Sequence, residues 1–385
     1  MSKPRLALLA IPVIVIAGLV VLALKVGPAG IFPGDFPPVE DVTIGRVDLK
    51  PGLITAVVTN GGPSLVDVAQ VLVDEAYWEF TAEPDRPLAR LASQTLRIPY
   101  PWVEGEPVVI TLISSTGATF VHEIPVATES PPVSSRFILT FGLLGLYIGL
   151  IPVLLGMTFM PFLRTLSRRW LHFFIAFAAG VLIFLGVETL VEAIEQAESL
   201  PPAFGGIGIV SLGAIGSFAL ILAFSRWMQR HSGADSRLVV AFTVAAGIGL
   251  HNLGEGLAIG AAYRLGEIAL GTFLVIGFGL HNTTEGLGIV SILGDRKVAI
   301  MRLVGLGLIA GMPTVLGAWA GAFFFSPLLA AVFLTVATGA IAEVVVDVMA
   351  VVKREAPGGL ASLESLGGIA VGLAIMYITG VFVAA

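Results

Sequence analysis

The sequence predicts a polytopic α-helical membrane protein: an eight-helix bundle preceded by one N-terminal transmembrane helix and a small extracytoplasmic β-sandwich. Three observations predict it. Apolar residues make up 56% of the chain and charged residues only 12%, too few charges for a soluble protein of this length. The apolar residues fall in runs as long as a membrane-spanning helix requires. Between about Gly30 and Ser135 those runs stop, and short β-rich segments separated by turn residues replace them.

In chain order, Met1 to Arg5 is short and basic and is followed by LALLAIPVIVIAGLVVLAL. This run is longer than the apolar core of a signal peptide, and no A-x-A cleavage site follows. Residues 1–27 therefore read as an uncleaved anchor that sends the next segment out of the cytoplasm. Residues 30–128 read as the β-sandwich. Its expected strands are Asp41–Leu49, Leu53–Thr59, Ala69–Val73, Ala76–Phe80, Gln94–Ile98, Pro107–Ile113 and Thr119–Ile124. Turn signals such as Lys50-Pro51-Gly52 and Asn60-Gly61-Gly62-Pro63 punctuate them, and the count suits an immunoglobulin-like plan. No ligand constellation stands out there: His122 and Glu123 are neighbours on a strand and point to opposite faces. Residues 129–135 form a proline-containing linker.

From 136 to 385 come eight apolar stretches, at about 136–160, 170–197, 203–228, 237–263, 266–293, 299–325, 327–353 and 361–384. Basic residues crowd alternate connections: Arg164, Arg168 and Arg169; Arg226, Arg230 and Arg237; Arg296, Lys297 and Arg302; Lys353 and Arg354. The other connections hold essentially Arg264 alone. The positive-inside rule makes the first set cytoplasmic. In the cell (plasma or inner) membrane, the N-terminus is then cytoplasmic, and the β-domain and C-terminus are extracytoplasmic. The chain has no cysteine, which excludes disulfides and thiolate metal sites. No clustered basic patch suggests nucleic acid. The lipid bilayer is an expected partner, a homodimer is one option, and the partner of the β-domain is left open.

The chemistry concentrates between His251 and Gly286, where one phrase occurs twice: His251-Asn252-Leu253-Gly254-Glu255-Gly256 and His281-Asn282-Thr283-Thr284-Glu285-Gly286. On a helix, residues four apart share a face, so His251 stands beside Glu255 and His281 beside Glu285. Imidazole and carboxylate together ligate borderline divalent metals. Buried carboxylates facing each other repel unless a proton or cation intervenes, and an ionisable residue in mid-membrane is by default functional. Further intramembrane acids are Glu188 and Glu192, toward the outer end of the second span, and Glu343 and Asp347, in the inner half of the seventh. They suggest an entrance and an exit for cations. His172 and His231, at helix ends, are expected at the surface.

Paired HNxxEG motifs on adjacent spans of an eight-helix bundle resemble the ZIP (Zrt-, Irt-like) family of divalent-metal transporters, over about Arg136 to Ala385. The resemblance implies transmembrane movement of a divalent transition metal toward the cytoplasm. Zn²⁺ comes first, with Fe²⁺, Mn²⁺, Co²⁺ and Cd²⁺ as further candidates; the metal is the transported ligand, and there is no organic cofactor. It implies a first metal site of His251, Glu255, His281 and Glu285, and a second with Asn252 and Asn282 sharing both glutamates. Three departures stand out. Gly254 and Thr284 replace the proline that many members carry before the motif's Glu. Met312 stands before Pro313 on the sixth helix, where the family often has a carboxylate. Asn282 replaces an Asp found in some members. Together they favour one strong site over two. An intramembrane metal-dependent hydrolase or a membrane metal sensor is the alternative, although the H-E-x-x-H helix of zinc hydrolases is absent.

Overall fold

The computed structural model describes residues 15, 18, 38–130, 134–200, 204–231, 236–264, 268–324 and 327–384. Apart from residues 15 and 18, the expected anchor at 1–27 lies outside them. The rest is mostly helical, with two small antiparallel sheets ahead of the helices.

The strands are β1 (Val42–Lys50), β2 (Leu53–Asn60), β3 (Val68–Val73), β4 (Ala76–Trp78), β5 (Thr81–Glu83), β6 (Ser93–Ile98), β7 (Val108–Ser114) and β8 (Thr119–Ile124). They form two four-stranded sheets, ordered β1-β2-β6-β5 and β4-β3-β7-β8. Alternate residues of both sheets fill one shared core: Ile54, Ala56, Val58, Leu96 and Ile98 from the first sheet, Val71, Val73, Ile110 and Leu112 from the second. A side-chain period of two puts every second residue inside. β1 breaks that period once. A bulge between Ile44 and Arg46 lets both Ile44 and Val47 point inward, three positions apart. The sequence pattern misses β5, a three-residue strand with no room for alternation. It also runs β4 on to Phe80, whereas the chain leaves that sheet after Trp78 and enters the other at Thr81.

Eight long helical elements follow among the described residues. They are α1 (Ser135–Leu163), α2 (Arg168–Glu198), α3 (Gly206–His231), α4 (Ser236–Arg264), α5 (Ile268–Leu293), α6 (Ile300–Phe324), α7 (Pro327–Glu355) and α8 (Leu363–Ala384). All but α5 are long and apolar enough to cross a membrane by length and composition, the make-up of a multi-pass membrane protein. α5 is 26 residues long, about 39 Å at 1.5 Å per residue, and packs against α1, α2, α4 and α8. Within its apolar stretch α4 is 72% buried, against 11% for α3, so the first motif sits at the centre of the bundle.

Polar contacts tie the helix ends together. At one end the Arg164 guanidinium donates to the Arg296 carbonyl at 3.0 and 3.1 Å, Arg169 pairs with Glu364 at 2.6 Å, and Arg237 pairs with Glu355. The basic connections around α1–α2, α4, α5–α6 and α7–α8 thus gather at one end. Arg46 Nη1 of β1 donates to the Phe323 carbonyl at 3.4 Å, near the far end of α6. The sheets therefore stand at the opposite end from the basic connections.

Candidate metal centre

Both motifs lie deep inside. His251, Asn252, Glu255, His281, Asn282 and Glu285 are each 2% exposed or less. The imidazole rings of His251 and His281 lie near one another, with centroids 5.9 Å apart and planes inclined by 26°. His251 Nε2 is 3.4 Å from Glu255 Oε1, and His281 Nε2 is 3.6 Å from Glu285 Oε1. Glu188 Oε2 of α2 lies 3.8 Å from His281 Nε2. The ligand atoms of Glu188, His251 and His281 all fall within 4.8 Å of one another. Glu188, expected in an entrance, thus stands beside the histidine pair.

The two asparagines brace the carboxylates reciprocally. Asn252 Nδ2 donates to Glu285 Oε2 and to the Ala310 carbonyl, both at 3.1 Å. Asn282 Nδ2 donates to Glu255 Oε2 at 2.9 Å and to the Ile148 carbonyl at 3.0 Å. Each amide nitrogen meets two acceptors, so its identity as the NH₂ group follows from its partners. Each motif therefore holds the other's glutamate and is itself anchored to a third helix.

Both anchoring carbonyls lie near prolines. Pro152 lacks the N–H that would bond the Ile148 carbonyl four residues earlier, and a π-helical turn spans Leu146–Leu150 just before it. The Ile148 carbonyl is left for Asn282. On α6, Pro313 leaves the Ile309 carbonyl without its N–H partner, and Asn252 bonds the next carbonyl along, that of Ala310. Four residues after each proline is a glycine that meets the motif's own glycine. A Cβ on Gly286 would lie 2.1 Å from the Val153 carbonyl oxygen and 3.1 Å from Gly156 Cα. A Cβ on Gly256 would lie 2.2 Å from the Thr314 carbonyl oxygen and 3.0 Å from Gly317 Cα. Only glycine allows such backbone approach. The sequence reading missed this support, although the matched phrases Pro152-Val153-Leu154-Leu155-Gly156 and Pro313-Thr314-Val315-Leu316-Gly317 signal it.

A second missed residue is Thr189. Its hydroxyl donates to the Leu185 carbonyl at 2.7 Å, a bond that uses its one hydrogen. It can then only accept from His251 Nδ1, also at 2.7 Å. His251 therefore carries its proton on Nδ1 and presents the Nε2 lone pair. Thr189 directly follows Glu188, and nothing in the sequence marks it as opposite a histidine on another helix.

Apart from one N–H of His281, what remains unsatisfied is of one kind. His251 Nε2, both ring nitrogens of His281, one oxygen each of Glu188, Glu255 and Glu285, and both asparagine Oδ1 atoms are buried without a hydrogen-bond partner. The carboxylate and amide oxygens and His251 Nε2 are acceptors with no donor supplied. Buried charge without compensation is costly, and an acceptor cluster calls for a proton, a water or a cation. The spacing suits a metal ion. Bonds of 2.0–2.1 Å in a tetrahedron put donors about 3.3–3.4 Å apart, close to the 3.4 and 3.6 Å separations here. Both exceed an ordinary hydrogen bond.

The other expected pathway residues lie elsewhere. Glu192 is half-buried, one turn beyond Glu188. Glu343 is fully buried with both oxygens unpartnered. Its neighbour one turn on, Asp347, accepts from Ser225 Oγ at 2.9 Å. Met312 lines an apolar groove with Ile138, Leu146 and Trp319. His231 is exposed as expected, whereas His172 is buried at 8% exposure, enclosed as its helix packs into the bundle. No family model and no curated protein matches the chain.

Proposed function

We propose that this protein moves divalent transition-metal ions, Zn²⁺ foremost, across a cell membrane toward the cytoplasm through the centre formed by α2, α4 and α5. The observation that carries this reading is the buried cluster at metal-ligand spacing: imidazole nitrogen, carboxylate and amide oxygen, nearly all acceptors, with one N–H of His281 the exception. Nitrogen and oxygen ligands without thiolate suit a borderline ion that must be released again. Two motifs braced by matching proline–glycine segments on α1 and α6 favour the inverted-repeat plan of secondary transporters. The resemblance of the paired motifs to the ZIP family supports the same reading. Glu188 joins His251, Glu255, His281 and Glu285 as a ligand, with Asn252 and Asn282 holding the bridging carboxylates. Glu192 lies on the approach, and Glu343 and Asp347 lie on the way out. The basic connections at one end of the bundle support placing that end in the cytoplasm, with the sheets outside.

The test is metal flux into proteoliposomes carrying an internal fluorescent chelator, comparing Zn²⁺, Fe²⁺ and Mn²⁺. Saturable flux that Glu255→Ala and His251→Ala each abolish, with expression and fold retained, is the expected result. Normal flux in either variant would sink the assigned site. Tight binding without flux would sink the transport reading and leave a sensor or an enzyme.

A further inference from the structure

At the end of the bundle that carries the basic connections, one ion pair joins helices that otherwise meet through side chains. Arg237 of α4 is 5% exposed and holds Glu355 of α7 by two bonds, one of them from Nε to Oε1 at 3.0 Å. Its Nη1 also donates to the Ile292 and Leu293 carbonyls in the last turn of α5, at 3.5 and 3.4 Å. Gly294 makes room for the guanidinium. The backbone there has φ +59°, and a side chain at that position would collide with Arg237 Nη1. We propose that the Arg237–Glu355 pair is a latch that keeps the metal centre closed at this end and must part before the centre opens there. Its purpose rests on the transport reading; its test does not.

Glycine contacts show what the pair holds together. Among the described residues, α1 meets α5 at Gly156, and α4 meets α6 at Gly256 and Gly321, each at backbone approach. In the same way α2 meets α8 at Gly180, and α3 meets α7 at Gly339. Where α4 faces α7, the nearest atoms belong to side chains: Leu334 lies over Gly254, and Val344 over Gly247. Helices packed through side chains slide past one another more readily than helices interlocked at the backbone. The centre lies along this looser seam, with His251, Glu255, His281 and Glu285 on α4 and α5, and with Glu188 and Thr189 on α2. At the basic end, Arg164 bonds the Arg296 carbonyl and so ties α1 to the α5–α6 connection, while Arg169 and Glu364 tie α2 to α8. Arg237 and Glu355 cross the seam. A buried ion pair adds little net stability, because lost hydration offsets the attraction. Its cost is felt by any motion that separates the partners while they stay buried, and that is how a latch acts.

The chain contains no cysteine, so a single introduced thiol reports opening. Ser291→Cys suits the purpose. Ser291 is 1% exposed and lies on α5 between Glu285 and the Leu293 carbonyl that Arg237 meets. Full-length protein in nanodiscs is treated with a membrane-impermeant maleimide in the absence of metal, and mass spectrometry reads the labelling rate. Adding Glu355→Gln should raise that rate about tenfold or more, as expected when one partner of a largely buried pair is removed. Adding Glu364→Gln instead, which removes the pair with Arg169, should leave the rate unchanged. If Glu355→Gln fails to fold, Arg237→Lys takes its place, keeping the charge while losing the guanidinium fork. An unchanged rate in the Arg237 or Glu355 variant overturns the proposal. Equal acceleration by Glu364→Gln overturns it too, since that marks a general loosening of the helix ends. A protein whose labelling responds as expected but which moves no metal would sink the transport reading and leave the latch standing.

Discussion

At the scale of single residues, Thr189 decides how His251 presents itself. Its hydroxyl spends its proton on the Leu185 carbonyl and so fixes the imidazole proton on Nδ1. Thr189→Val keeps the shape but leaves that N–H without an acceptor. Groups that orient metal-binding imidazoles in this way typically contribute 10–100-fold in affinity. Zn²⁺ affinity of Thr189→Val, measured by competition with a chelator, should fall by about tenfold or more; an unchanged value would remove Thr189 from the site. Tyr100 offers a second test in the sheets. Its hydroxyl donates to Asp74 Oδ2 at 2.5 Å, and that bond to Asp74, helped by partial burial, raises its pKa from 10.0 to about 12. The fold therefore favours the neutral phenol. The resulting stability is fully present below pH 10 and is lost as pH rises toward 12. Tyr100→Phe should flatten the decline in thermal stability across that window; an identical pH profile in the variant would dissociate Tyr100 from it.

Helix elements explain why the centre can be so compact. Gly156 with Gly286, and Gly256 with Gly317, bring α1 against α5 and α4 against α6 at backbone contact. In an exposed helix, Gly→Ala stabilises by about 1 kcal/mol through propensity. At Gly286 the sign should reverse. The new Cβ would sit 2.1 Å from the Val153 carbonyl oxygen, and relieving such overpacking costs roughly 1–3 kcal/mol. Gly286→Ala should therefore lower both the unfolding midpoint in detergent and Zn²⁺ affinity. Gly279→Ala, where the Cβ meets nothing within 4 Å, should do neither. Equal behaviour of the two variants would show that the close contact is unimportant. Pro152 belongs to the same device, since the Ile148 carbonyl it leaves without a helix partner receives Asn282; Asn252 bonds Ala310, next to the Ile309 carbonyl that Pro313 frees.

For the whole molecule, the two sheets enclose a core of their own. A long hydrogen bond from Arg46 to the Phe323 carbonyl joins them to the helices. A fragment spanning residues 38–130 should therefore unfold in one cooperative transition by circular dichroism. Within it, Leu112→Ala, at a fully buried position, should cost about 2–5 kcal/mol. A fragment without a transition would mean that the helices are needed to complete the sheets. The bundle has its own organisation, with α4 enclosed and the two motifs at one depth.

The sequence by itself determined seven of the eight strands to within a residue or two, the run of apolar helices, and the six motif residues that come together. Each rests on a local signal: a period of two, an apolar run, or a repeated phrase with imidazole and carboxylate four apart. Such signals are written along the chain because neighbouring residues share an element. Tertiary structure alone decided that Glu188 joins the histidines and that Thr189 sets the state of His251. It also decided that each asparagine holds the opposite motif's glutamate, while Met312 stands in a groove with α1. Those facts depend on which faces of separate helices meet. The matched proline–glycine phrases on α1 and α6 hint at that meeting, but only packing shows that the glycines touch the motifs. Contacts between residues far apart in the chain follow from backbone approach and volume, which no local pattern records.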